Sequence, residues 1–219
     1  MTERDWYGWH ASYDNPDSGL SRRLSWVQGQ IRAVLDSAPP GPLRAVSLCA
    51  GQGRDILGVL AGHPRRDDVR ALLVELDPRN TEFAARLAAG AGVRNVEIVA
   101  GDASRTRQYA DMVPADLVLA CGLFGNMTNA DIERTIGYCT QLCAARGAVI
   151  WTRARWEPDL VPQVCAWFEE RDFERVWLSQ PGYHECVGTH RRTASPVPLD
   201  RDAVMFTMAN HERQAGPLR

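Results

Sequence analysis

From Arg44 to Arg192 apolar runs alternate between two periods, and that alternation is the strongest constraint on the fold. "RAVSLC" from residue 44 reads as a strand and "RDILGVLAG" from 54 as a helix. "VRALLVEL" is a strand, "RNTEFAARLAAGAG" a helix ending in glycine, and "VEIVAG" a strand. "ADLVLACG" is followed by the helix "NADIERTIGYCTQLCAA", then by the strand "GAVIWTR" and the helix "PDLVPQVCAWFEER". Strand and helix at this spacing make right-handed βαβ units, and so a mostly parallel sheet covered on both faces. The last two runs, "FERVWLSQ" and "HECVGTHRR", are joined by "PGY", which predicts a hairpin and an antiparallel strand ending the sheet. "AVMFTMA" from residue 203 reads as a short final strand.

Two helices are expected before this unit. The first spans residues 3–13 and sets Trp6, Trp9, His10 and Tyr13 on one face; the second spans 18–36, and "SAPPGP" ends it. Residues 1–40 are therefore expected to form a helical lid segment, and 41–219 the α/β domain.

Such sheets bind ligands at the carboxyl ends of their strands, near the point where strand order reverses. The residues just past each strand form a coherent set. Gly51-Gln52-Gly53 follow the first strand, Glu75 and Leu76 the second, Asp102 and Ala103 the third, and Cys121 and Gly122 the fourth. Gly51 and Gly53 let a ligand approach the main chain. Glu75 can accept two hydrogen bonds from a ribose diol. Asp102 can accept from an adenine amine, and the Ala103 amide can donate to a ring nitrogen. The competing explanation is that Glu75 and Asp102 merely cap the helices that follow them. Glu75 lies 22 residues after Gly53, near the ~20-residue spacing of a dinucleotide fingerprint. That fingerprint wants a third glycine where Ile56 stands, so it fails.

On "SLCAGQGRD", "LLVELDP", "VEIVAGDAS" and "ADLVLACGLFGN" the chain resembles the class I S-adenosylmethionine-dependent methyltransferases, over roughly residues 44–192. It is most similar to small actinobacterial-type members with an "SLCAGxGRD" loop. The resemblance implies a Rossmann-like three-layer α/β/α sandwich, with a seven-stranded mostly parallel sheet and one antiparallel strand. It implies S-adenosylmethionine as cofactor, with Gly51 and Gly53 against its methionine part, Glu75 on the ribose hydroxyls, and Gln52 and Leu76 among the cofactor-binding residues. Asp102 and Ala103 would meet adenine, and Cys121 and Gly122 would lie beside the transferable methyl. The usual loop has an acid at the position of Ser47 and a glycine at Cys49. Asp55 and Asp14 are the candidates to replace that acid. Cys49 is expected to be a small buried residue, because nothing beside it offers a base or a metal.

Substrate would sit under the N-terminal aromatics and beside the loops after the later strands. Arg153, Arg155 and Trp156 follow the fifth strand, and His190, Arg191 and Arg192 lie near the end of a later one. Arginine's planar fork suits carboxylate, phosphate or sulfate, so the acceptor is expected to be a small anionic molecule held by Arg153 or Arg155. His184 and His190 are the candidate bases, with Tyr13 of the lid as a further catalytic candidate. A different chemistry on the same fold stays open: elimination or ring closure, for example loss of sulfate with attack by the substrate's own amine. So does a binding subunit that needs a partner protein, and a homodimer.

Bulk properties narrow the partners. The net charge of −2 and the absence of an NPPY-like stretch argue against nucleic acid. No apolar run approaches the ~18 residues of a membrane span, and "MTERDWYGWH" does not read as a signal peptide. The six cysteines form no CxxC pair, so buried thiols in a reducing cytoplasm are expected, with no metal site.

Overall fold

A computed structural model describes residues 5–208. The start of the first expected helix and the chain after Met208, including the last residue of "AVMFTMA", lie outside the described residues. Seven strands form one sheet: β1 (Leu43–Leu48), β2 (Val69–Glu75), β3 (Val96–Ala100), β4 (Ala115–Ala120), β5 (Cys143–Ala154), β6 (Phe173–Leu178) and β7 (Glu185–Arg192). Their order across the sheet is β3-β2-β1-β4-β5-β7-β6. β1 to β5 run parallel to one another, and β7 pairs antiparallel with both β5 and β6. The hairpin therefore forms as expected, but its second strand inserts inside the first. The antiparallel strand is one place in from the edge, and β6 forms that edge.

The helices are α1 (Trp6–Trp9), α2 (Gly19–Ser37), α3 (Arg54–Leu60), α4 (Pro78–Gly90), α5 (Asn129–Leu142) and α6 (Val161–Glu169). Side chains of β1 divide between two cores. Leu43 and Ala45 join Val27, Ile31 and Leu35 of α2, Leu57 and Leu60 of α3 and Ala84 of α4. Val46 and Leu48 join Ile132 and Ile136 of α5 and Val164 and Phe168 of α6. Burial on both faces explains why the central strands read as continuous apolar runs. It also makes α2 one layer of the sandwich, so residues 5–18 and the first turns of α2 are what stands over the strand ends.

Three local expectations shift. The expected first helix is α1 followed by a 3₁₀ turn, His10–Asp14. α5 stops at Leu142, because Cys143 already pairs with Ala115 at the start of β5. The described residues of "AVMFTMA" make no strand: Val204 forms a single bridge to Arg105, while Met205 and Phe206 are buried in the core.

β5 and β7 are packed very closely at Gly188. A Cβ there would overlap the indole of Trp151, which stacks near Phe168. Overpacking of this kind costs about 1–3 kcal/mol. Gly188→Ala is expected to lower the thermal midpoint, by about 2–4 °C per kcal/mol in a domain of this size. Gly62→Ala, where a Cβ meets nothing within 4 Å, should leave the midpoint nearly unchanged in the same melts.

Candidate functional site

The carboxyl ends of β1 to β5 open into one cavity of about 610 Å³, within the ~300–1,000 Å³ usual for small-molecule sites. It lies where strand order reverses between β1 and β4. Its floor is the loop after β1. Cys49, Gly51 and Gly53 all take left-handed backbone conformations, with φ of 49°, 55° and 64°. Cys49 thus adopts the geometry for which a glycine is the easier choice. A Cβ on Gly53 would lie 2.7 Å from Leu73 Cδ2, and one on Gly51 would overlap His10 Nε2. The Cys49 thiol is pushed well up by burial, and further by the charges of Glu75 and Asp102. It is no nucleophile at neutral pH.

Glu75 is only 9% exposed. Its Oε2 accepts the Gly51 N–H at 2.8 Å and its Oε1 accepts the Asp77 N–H at 3.0 Å. Each oxygen keeps a lone pair for a further donor. The cap of α4 is Asp77, which accepts from Arg79 N–H, so Glu75 does not serve as the helix cap. Leu76, beside it, is 71% exposed and lines the cavity. Asp102 accepts from the Ser104 N–H and hydroxyl at 2.9 and 2.7 Å. Burial works against its charge, but those bonds and Arg105 outweigh it and hold the carboxyl below its usual value. Ala103 lines the same wall.

On the far wall Gly122 has φ 75°. Its N–H donates to Thr152 Oγ1 and its carbonyl accepts from Asn126 Nδ2, both at 2.7 Å. Arg153 Nη1 donates to the Phe124 carbonyl. Cys121 is held neutral by burial.

A family model described as "Putative methyltransferase" matches residues 19–177, from the start of α2 into β6. The chain belongs to this methyltransferase family. Solved structures add the likeness of the fold. An O-methyltransferase family protein from Burkholderia thailandensis aligns at TM-score 0.63 and 15% identity, over 80% of this chain and 56% of its own. The chain thus spans a little over half of that relative. The 1,6-didemethyltoxoflavin-N1-methyltransferase of the same organism, with 1,6-didemethyltoxoflavin and S-adenosylhomocysteine bound, aligns at 0.62 and 17%, over 86% and 87%. The magnesium protoporphyrin IX methyltransferase of Synechocystis, with S-adenosylmethionine bound, aligns at 0.63 and 10%, over 88% and 99%. No curated protein matches the chain significantly.

In this methyltransferase the two candidates for the absent acid part company. Asp14 is in an ion pair with Arg54 at 2.7 Å, outside the cavity wall. Asp55 lines the cavity, where burial raises its pKa against a bond from its neighbour's Ile56 N–H and the charge of Arg23. Ser47 is buried beneath and does not line the cavity.

Trp6, Trp9, His10 and Tyr13 form the roof. His10 Nδ1–H donates to the Trp6 carbonyl at 2.6 Å, and burial lowers its pKa, so the ring is neutral and sets Nε2 over Gly51. Tyr13 accepts from Arg23 Nη2 at 2.8 Å. Arg54 reaches Asp14 and also the Gln52 amide oxygen at 2.7 Å, under the Tyr13 ring. Arg79 pairs with Asp5 at 2.9 Å. Arg23 and Arg54 were not expected at the site. The available signal for Arg23 was its place in helical phase with Leu20, Leu24 and Val27, a cation within an apolar stripe.

Arg153 lines the cavity, whereas Arg155 does not. Arg155 is turned to Asp159 at 2.9 Å and to Cys186 Sγ. His190 also leaves the list of candidate bases. It is 0% exposed, accepts from Trp151 Nε1–H at 3.0 Å and stacks 4.6 Å from Phe168. The cause is the direction of β7: Glu185 pairs with Ala154 at the cavity end, and Arg191 with Ala148 at the opposite end. Arg191 there meets Glu174, and Arg192 the Arg171 carbonyl. The same reversal brings His184 to the cavity, beside Trp156 at 5.5 Å.

Burial holds His190 down to about 4, from the ordinary 6.5. Between those values the unfolded chain carries the proton and the folded one does not. The stabilisation is therefore complete above pH ~6.5 and lost as pH falls toward ~4, on the order of 3 kcal/mol. Urea midpoints from pH 7.5 to 4.5 should fall steeply for the wild type and less steeply for His190→Gln.

Proposed function

We propose that the cavity binds S-adenosylmethionine and that the protein transfers its methyl group to a small anionic molecule. The observation that carries this is the convergence on one cavity of the left-handed loop at Cys49–Gly53, Glu75, Asp102–Ala103 and Cys121–Gly122. These residues fit the group. Glu75 is fixed by two amide donors and still has lone pairs for a diol. Leu76 offers an exposed apolar face for a flat base, and at Gly122 on the far wall a Cβ would meet only Arg23 Nη2, at 3.8 Å. Asp55 is the half-buried carboxylate on the cavity wall suited to the ammonium end.

When bound, the cofactor supplies an electrophilic methyl on a sulfonium sulfur. The chain's own contribution is alignment and exclusion of water. The aromatic roof covers the loop, the Thr152 and Asn126 bonds fix Gly122, and Arg153 supplies positive charge beside it. His184, which lines the cavity, is our candidate to take a proton from an acceptor that must lose one. The likeness to a methyltransferase with 1,6-didemethyltoxoflavin bound supports a small-molecule acceptor, and we extend it to specialised metabolism. The six free cysteines support a reducing cytoplasm.

Calorimetry with S-adenosylmethionine and S-adenosylhomocysteine tests the cofactor. One-to-one binding of both is expected, and absence of binding by either refutes the assignment. Glu75→Ala removes the acceptor for Gly51 as well as for the ribose. It should weaken S-adenosylhomocysteine at least ~10-fold, the size of one lost charge-assisted hydrogen bond.

A further inference from the structure

Asn80 is the one side chain among the described residues whose amide nitrogen and oxygen are both buried without a partner. Arg153, Arg155, Arg192 and His190 each leave one buried nitrogen unpaired, but each bonds through another atom. Asn80 is 0% exposed and begins the core-facing row Asn80, Ala84, Ala88 of α4. An amphipathic helix calls for an apolar side chain at such a position, and native structures seldom leave a buried amide unsatisfied. The side chain forms part of the cavity wall. One tight turn holds it at the same corner as Glu75. Asn80 N–H donates to the Asp77 carbonyl at 3.0 Å, and Asp77 N–H donates to Glu75 Oε1 at 3.0 Å.

We propose that Asn80 reads the ribose of the nucleoside together with Glu75, and makes the site selective for a cis-diol over a deoxyribose. The inference rests on the cofactor assignment above. Glu75 as a carboxylate only accepts, while Asn80 carries two N–H donors and one acceptor. A hydroxyl both donates and accepts. A diol therefore gives both atoms of the amide a partner: one hydroxyl donates to Glu75 and receives from Asn80 Nδ2–H, and the other donates to Asn80 Oδ1. The amide is fully covered in this structure, so these bonds form only as the ligand's entry shifts the wall enough to uncover it.

The test is a calorimetric cycle on the full chain. Wild type and Asn80→Leu are each titrated with S-adenosylhomocysteine and with its 2′-deoxy and 3′-deoxy forms, and both proteins are melted without ligand. Asn80→Leu should bind S-adenosylhomocysteine about 10-fold more weakly, and that loss should shrink with a deoxy form. Its unliganded midpoint should equal or exceed that of wild type, because an orphaned amide has been replaced by an apolar group of similar volume. Equal affinity of the two proteins for S-adenosylhomocysteine overturns the inference while leaving the cofactor assignment in place. So does a wild type indifferent to both hydroxyls, which is readable even if the variant folds poorly. A wild type that binds none of the three removes the cofactor assignment and this inference with it.

Discussion

The bond between the Glu75 carboxylate and the Gly51 N–H organises the site. It joins the turn after β1 to the end of β2 across 24 residues. The loop it holds passes through three left-handed residues within five positions, a conformation open to Gly51 and Gly53 but unfavourable for Cys49. Packing adds to the demand for glycine: a Cβ at Gly53 would lie 2.7 Å from Leu73 Cδ2. Glu75 in turn is nearly buried, and a buried carboxylate is stable only where donors surround it. The Gly51 and Asp77 amides meet that need without exhausting it. A buried charge with unspent acceptor capacity at the end of a strand is a site for a ligand that donates.

Most of this was legible because it follows from local pattern. The alternation of periods predicted every parallel strand, since βαβ units need only a right-handed crossover and two covered faces. Acids and glycines immediately past strand ends reach one cavity for the same reason: parallel strands finish on the same side. That rule is also why His190, Arg191 and Arg192 were misplaced. They end β7, and β7 is the strand that runs the other way. The hairpin at "PGY" was the information needed to reverse them. It exchanges the end of β7 for its beginning, and His184 for His190.

Arg23 and Arg54 were hidden for a different reason. Their roles depend on how residues 5–18 fold back over the sheet, and no periodicity encodes that contact. Asn80 was hidden too, as one polar residue among the ordinary first-turn residues of a helix. Its oddity is visible only once the wall around it is complete. The substitution at Cys49 gave the opposite signal: an apparent departure from a glycine position keeps the glycine's backbone conformation.

The roof over the cavity is held by arginines from three different helices: Arg23 of α2, Arg54 of α3 and Arg79 of α4. Asp14 and Asp5, the acidic partners, are largely exposed, and exposed ion pairs contribute only about 0–1 kcal/mol each. The aromatic contacts among Trp6, Trp9 and Tyr13 lie within the segment itself and do not bind it to the sheet. The roof is thus fastened to the helices mainly by polar contacts, in contrast to the sheet, whose two cores close around its buried central strands. A methyl-transfer site needs both. The rigid sheet keeps Glu75, Gly122 and Asp55 in register. Under the proposed function the roof would cover a bound ligand and exclude the water that competes for the same polar groups.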